Sequence, residues 1–231
     1  MSRKYGIVAL AAFALSAITW NSASAQVRIN ELDSDQTGTD TLEFVELYDG
    51  GVGNTSLTNM TLVFFNGNGD ASYLALDLDG KTTDGQGYFL AGNSAVIGTV
   101  TVNNIQFNNN ILQNGPDAVA LYSGDFTSPG APTATNLLDA VVYGTSDAFT
   151  GTMLDEILLL SGEPGVDEDG GTAGGGQTLS IGRCPNGAGG LRRTFNYRTG
   201  TPTPGTANTC PMDPLGACCL AMGLCQIETS A

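Results

Sequence analysis

Asp33, Asp35 and Asp40 stand in one turn, DSDQTGTD, where Gly38 permits a tight bend. Hard oxygen ligands gathered on a flexible loop are the chemistry of calcium. The stretch begins like an EF-hand loop, with acids at the first and third positions and glycine at the sixth. Phe44, however, takes the twelfth position, where a bidentate glutamate belongs. These three aspartates are the first candidate calcium site; the acidic turns 77–80 and 167–170 come next, and solvated acidic turns are the alternative reading. Glu31, Glu43 and Glu46 flank the same turn and invite an acid–base reading, since glycosidases hold two carboxyls about 5–10 Å apart across a cleft. Nothing else here shapes a sugar site. Glu31 and Glu46 are expected to accept hydrogen bonds from backbone, tyrosine or arginine donors near a sheet edge. Histidine is absent, which removes Ser-His-Asp and Cys-His catalysis, histidine-bound zinc and a histidine base. Gly174–Gly176 is followed by no lysine, so no phosphate-binding loop is present. No catalytic residue is assigned, and no cofactor is expected beyond calcium.

Five cysteines lie late in the chain, at Cys184, Cys210, Cys218, Cys219 and Cys225. Their meaning depends on the compartment. Residues 1–25 read as a secretory signal: Arg3 and Lys4, an apolar run over 5–19, then Ala23-Ser24-Ala25 before a new terminus at Gln26. The run is short of the roughly 20 residues that span a bilayer, an uncleaved anchor being the alternative. No membrane span is expected after cleavage. Outside the cell the cysteines are expected in bridges, with Cys184 and Cys210 closing the end of the main domain. A zinc cluster would need a fourth ligand and paired spacing, which Cys-Cys-x5-Cys lacks. Asn54 and Asn59 stand in glycosylation sequons, which matter only in a eukaryotic host.

The elements that must hold these residues are short strands. Segments 27–32 (VRINEL) and 42–48 (LEFVELY) alternate, with Leu42, Phe44 and Tyr48 toward one face and Glu43 and Val45 toward the other. Further runs at 61–65, 73–76, 88–91, 118–122, 137–143 and 178–181 are bounded by Gly, Asn, Asp and Pro clusters. This predicts an all-β antiparallel sandwich or barrel. Residues 153–160 could form a short helix or a buried strand. The glycine-rich, acidic stretch 162–177 is expected as a mobile surface loop, and TPTPGTAN at 201–208 as an extended exit. The 32 glycines and the 13% charged residues both argue against a helical bundle.

Several segments carry a resemblance. VRINEL, LEFVELY, LTNMTL (57–62), GYFLA (87–91), LQNGPDAVAL (112–121), LLDAVVY (137–143), TLSIGRC (178–184) and TPTPGTAN follow in an order that resembles bacterial lamin tail domains over residues 26–210. Asp49-Gly50 departs from the Asn-Pro-like turn usual there, and Asn59 stands where glycine is common. The resemblance implies an immunoglobulin-like β-sandwich with no catalytic residues of its own. Such modules occur alone or attached to secreted nucleases, phosphatases and other hydrolases. The tail 211–231, with GACCLAMGLC at 216–225, resembles the start of a cysteine-rich repeat in secreted bacterial proteins.

Charge narrows the partners. The chain carries −15, and without Arg3 and Lys4 six basic residues face 23 acidic ones, a net −17. That surface repels phosphate backbones, so direct nucleic-acid binding is not expected. Arg192, Arg193 and Arg198 form the single basic cluster, expected as a solvated loop paired with local carboxylates. The reading is a secreted, non-enzymatic module that binds an extracellular protein or polysaccharide at or outside the cell surface. The alternative is an accessory domain of a secreted hydrolase, a nuclease first, whose catalytic part lies elsewhere.

Overall fold

The computed structural model describes residues 26–145, 153–170 and 175–211, with the backbone of 217–219 and 225–227. The expected signal segment 1–25 and the side chains of the tail cysteines lie outside these residues. What is described is nearly all β, arranged as a sandwich.

One sheet contains β1 (Arg28–Asp33), β2 (Phe44–Tyr48), β5 (Tyr88–Gly92), β6 (Asn103–Gln106), β10 (Ser180–Arg183) and β11 (Tyr197–Gly200), in the order β11-β10-β1-β2-β5-β6. The other contains β3 (Met60–Asn66), β4 (Ala71–Asp77), β7 (Asp117–Ser123), β8 (Leu137–Gly144) and β9 (Val166–Asp167), in the order β4-β3-β7-β8-β9. A small hairpin pairs β12 (Ala217–Cys219) with β13 (Cys225–Ile227). Each of the eight strand runs read from the sequence contains a strand, although the run 178–181 enters β10 only at Ser180, after a 3-10 turn over Gly176–Thr178. The sheets are mixed rather than purely antiparallel, because β6 runs parallel to β5 and β9 parallel to β8.

Period-2 alternation sorts the side chains. Val45 and Leu47 of β2, Phe89 and Ala91 of β5, Leu32 and Ile181 face Leu62, Phe64, Val119, Leu121, Val141 and Tyr143 of the second sheet in one core. Burying each such aliphatic or aromatic side chain stabilises by roughly 1.5–3 kcal/mol. The opposite strand faces are also apolar. On the second sheet, Val63, Phe65, Ala118, Ala120 and Ala140 lie beneath α2 (Met153–Leu158), whose Leu154 and Leu158 are fully buried. Short alanines let the helix sit close. On the first sheet, Phe44, Tyr88 and Leu90 lie beneath α1 (Ser94–Ile97) and its following loop, through Val96 and Val102.

Two turns show why the residue types are fixed. Gly87 takes φ +97°, and a Cβ there would lie 2.1 Å from the Asp49 Oδ1 that anchors the neighbouring loop. Asn59 adopts φ 64°, which asparagine tolerates better than most residues. Of the stretch 162–177, residues 162–170 and 175–177 are described, and they hold more regular structure than a loop reading suggests. They contribute β9, and Glu168 and Asp169 are both buried.

Candidate functional site

The sequence candidates gather along β1, β2 and the turn between them, with Glu31, Asp33 and Glu46 on the strands themselves. Glu31 and Glu46 are direct cross-strand partners, because a bulge between Ile29 and Glu31 sets the register. Both are buried, and both are spent on one segment. Thr203 donates its N–H to Glu31 Oε1 at 2.9 Å and its hydroxyl to Oε2 at 2.8 Å, while Ser180 Oγ donates to Oε1 at 2.5 Å. Gly205 donates its N–H to Glu46 Oε2 at 2.7 Å, and Asn30 Nδ2 donates to Oε1 at 2.7 Å. Backbone donors were expected for these two acids; the tyrosine and arginine donors are replaced by Thr203, Ser180 and Asn30. Burial pushes the Glu46 carboxyl well above its ordinary range, and the neighbouring Glu31 charge adds to this. Burial also raises Glu31, against the hydrogen bonds from Ser180 and Thr203.

The segment they hold is the TPTPGTAN exit, here a strap laid across the sheet. Gly205 takes φ +79°, and a Cβ there would press to 2.9 Å from Val102 Cγ1. Asn208 ties the strap further, donating Nδ2 to the carbonyls of Asn30 and Arg183 at 3.2 and 3.0 Å. Its end is fixed covalently by the Cys184–Cys210 disulfide, with a Cα separation of 5.4 Å. That pair is the one the sequence predicts.

Glu43, just before β2, does similar work for another segment. Its carboxylate accepts the N–H groups of Ile111 and Leu112 at 3.1 and 2.8 Å and Asn93 Nδ2 at 3.1 Å. None of the three glutamates presents a free carboxylate pair to an open cleft.

The candidate calcium turn is closed on itself. Gln36 donates Nε2 to Asp33 Oδ1 at 2.5 Å and its backbone N–H to Asp40 Oδ1 at 2.9 Å. Asp35 instead accepts Asn114 Nδ2 at 3.1 Å. The three carboxylates are thus directed at three different donors. Among the described residues no three acidic or other ligating side chains are arranged to hold a metal ion. The acids of 77–80 and 167–170 are likewise engaged: Asp77 accepts the Asp79 N–H, Asp79 the Asn59 N–H, and Glu168 both the N–H and hydroxyl of Ser34.

Asp33 has a different setting. Desolvation is the main reason its carboxyl is pushed up to about 8, opposed by Gln36 and reinforced by Glu31, Asp35 and Asp40. It lines a mostly apolar groove of about 220 Å³ bounded by Leu42, Phe44, Val96, Pro202 and Pro204. The strap prolines form one wall and α1 the other. Leu42, 49% exposed, stands at the mouth.

The basic cluster is not a solvated patch throughout. Arg192 donates to the carbonyls of Ile157, Leu158 and Leu159 and so caps the end of α2. Arg193 pairs with Glu163 at 2.9 Å, as expected of a loop arginine, and Arg198 donates to the carbonyls of Phe195 and Tyr197. The sequence reading missed Arg183 and Asp139, whose fully buried ion pair spans 3.0 Å. The available signal was a lone acid inside the apolar run LLDAVVY. No family model, curated protein or solved structure matches this chain.

Proposed function

We propose that this chain is a secreted, non-enzymatic β-sandwich module of the lamin tail type, immunoglobulin-like in fold, that binds an extracellular protein or polysaccharide. One observation carries the reading: the carboxylates that could have done chemistry are buried and used as acceptors for loop and strap donors, while an open groove lies beside them. Pre-formed concave sites with apolar walls and a few polar groups suit binding. The eight family-like segments fall on β1, β2, the turn into β3, β5, β7, β8, β10 and the strap, as an all-β sandwich requires. A disulfide closing the domain is compatible with an extracellular location.

Retention of the labelled full-length exported chain on the surface and secreted matrix of producing cells tests this. Saturable retention is expected. Retention no greater than that of an unrelated protein of equal negative charge would overturn it. The alternative, an accessory domain of a secreted hydrolase, predicts an open reading frame that continues past the codon for Ala231 into a catalytic domain.

A further inference from the structure

The groove beside Asp33 is built from three distant parts of the chain. Asp33 and Phe44 come from the paired ends of β1 and β2, Ala95, Val96 and Thr99 from α1 and its exit, and Pro202 and Pro204 from the strap. Its walls are apolar, and Asp33 is the one charged residue among the described residues that line it. Glu31, Asp35 and Asp40 lie near enough to act on Asp33 electrostatically. No lysine or arginine lines the groove, and residues 212–231 contain neither, so the tail of this chain supplies no cation for it.

We propose that this groove receives one long basic side chain, lysine or arginine, from a partner polypeptide. This deepens the binding-module reading and rests on it. An aliphatic stem suits the walls of Leu42, Val96 and Pro204, because lysine and arginine bury their methylenes while keeping the charged head on a polar group. The head would lie on the Asp33 carboxylate, one oxygen of which Gln36 already orients. A volume of about 220 Å³ holds a single side chain rather than a helix or a strand. The net charge of −15 favours a cationic partner over an anionic one.

The test uses the full exported chain at pH 9, where Asp33, raised to about 8, is ionised and a lysine ammonium keeps its proton, and two probes, Nα-acetyl-lysine methylamide and its norleucine counterpart, which keeps the stem and lacks the ammonium. Amide resonances of Leu42, Val96 and Thr99 should shift saturably with the lysine probe. Binding of the norleucine probe should be weaker by at least about fivefold, as a lost charge-assisted contact requires. Asp33→Asn should weaken the lysine probe by a similar factor. Ala95→Trp, at an exposed position on the rim, should abolish binding while the dispersion of core resonances is kept. Equal binding of both probes, or binding unaffected by Ala95→Trp, would overturn the assignment. If the lysine probe fails while the chain still coats producing cells, the groove assignment falls and the module reading stands.

Discussion

At the residue scale, the acidity of this chain is largely an internal matter. Long irregular connections leave many backbone N–H groups that no ladder satisfies, and each must find an acceptor. Carboxylates supply them. Asp49 takes the N–H groups of Val52 and Gly53, Glu163 those of Thr194 and Phe195, and Glu43 those of Ile111 and Leu112. Such groups differ in how they titrate. Glu163 is held below its ordinary range because the Thr194 and Phe195 N–H groups and Arg193 outweigh its desolvation. Asp33 goes the other way, to about 8, with burial the dominant cause. A carboxyl raised in the folded state contributes stability below its unfolded value near 3.8, and that contribution is lost as pH rises toward 8. Asp33→Asn keeps an acceptor for Gln36 and removes the titration. It should therefore raise the melting temperature at pH 8 and do much less at pH 5, by roughly 2–4 °C for each kcal/mol recovered. Equal shifts at both pH values in thermal melts would show that Asp33 titrates normally.

At the element scale, the strap is the feature that turns two strand glutamates into structure. The disulfide closes a loop across a sequence separation of 26, which the chain-entropy model values at roughly 3 kcal/mol. Cys184→Ser with Cys210→Ser should lower stability by about that amount. Hydrogen exchange should quicken at the Thr203 and Gly205 amides, while amides of β7 at the centre of the other sheet keep their relative order of protection. Unchanged protection at Thr203 and Gly205 would mean that Glu31 and Glu46 hold the strap without the disulfide. The strands that build the core were legible in the sequence because their inward residues alternate, as in LEFVELY. β6 was not, since NNIQ is a polar edge strand bonded on one side only, and β9 is too short to show a period. The Cys184–Cys210 pair was legible because Cys184 follows a strand run and Cys210 follows the Pro/Gly-rich exit. The strap's seat was not, because it needs the register that places Glu31 opposite Glu46, set by a bulge that no local pattern announces. The groove at Asp33 was hidden for the same reason: its walls meet only once α1, the β1–β2 end and the strap are assembled.

At the scale of the whole molecule, the two sheets are joined by more than apolar contact. Asp139 on β8 accepts the Ile29 N–H from β1 at 2.9 Å and the Arg192 N–H at 2.5 Å, and Arg183 on β10 donates to it at 3.0 and 3.2 Å. Arg183 in turn donates Nε to the Ile29 carbonyl at 2.7 Å and lies 4.9 Å from the ring of Tyr197, whose hydroxyl also reaches that carbonyl. Burial raises the Asp139 carboxyl, with Arg183 as the leading opposing influence. Breaking a buried pair by removing one partner costs about 3–5 kcal/mol, so Asp139→Ala should be severely destabilising in denaturant titrations. Many buried pairs can nonetheless be exchanged for apolar residues of like volume at no loss. This one should resist that exchange. Asp139→Leu with Arg183→Met would remove the charges together yet strand the N–H groups of Ile29 and Arg192, along with the carbonyls of Ala188, Gly190 and Arg193 that Arg183 Nη1 now serves. A buried group left unpaired costs roughly 1–3 kcal/mol, and the Ile29 N–H is fully buried, so the double variant should remain about that far below the native chain. A double variant as stable as the native protein would reduce the Asp139–Arg183 centre to an ordinary ion pair, and the tie between the sheets would then be hydrophobic alone.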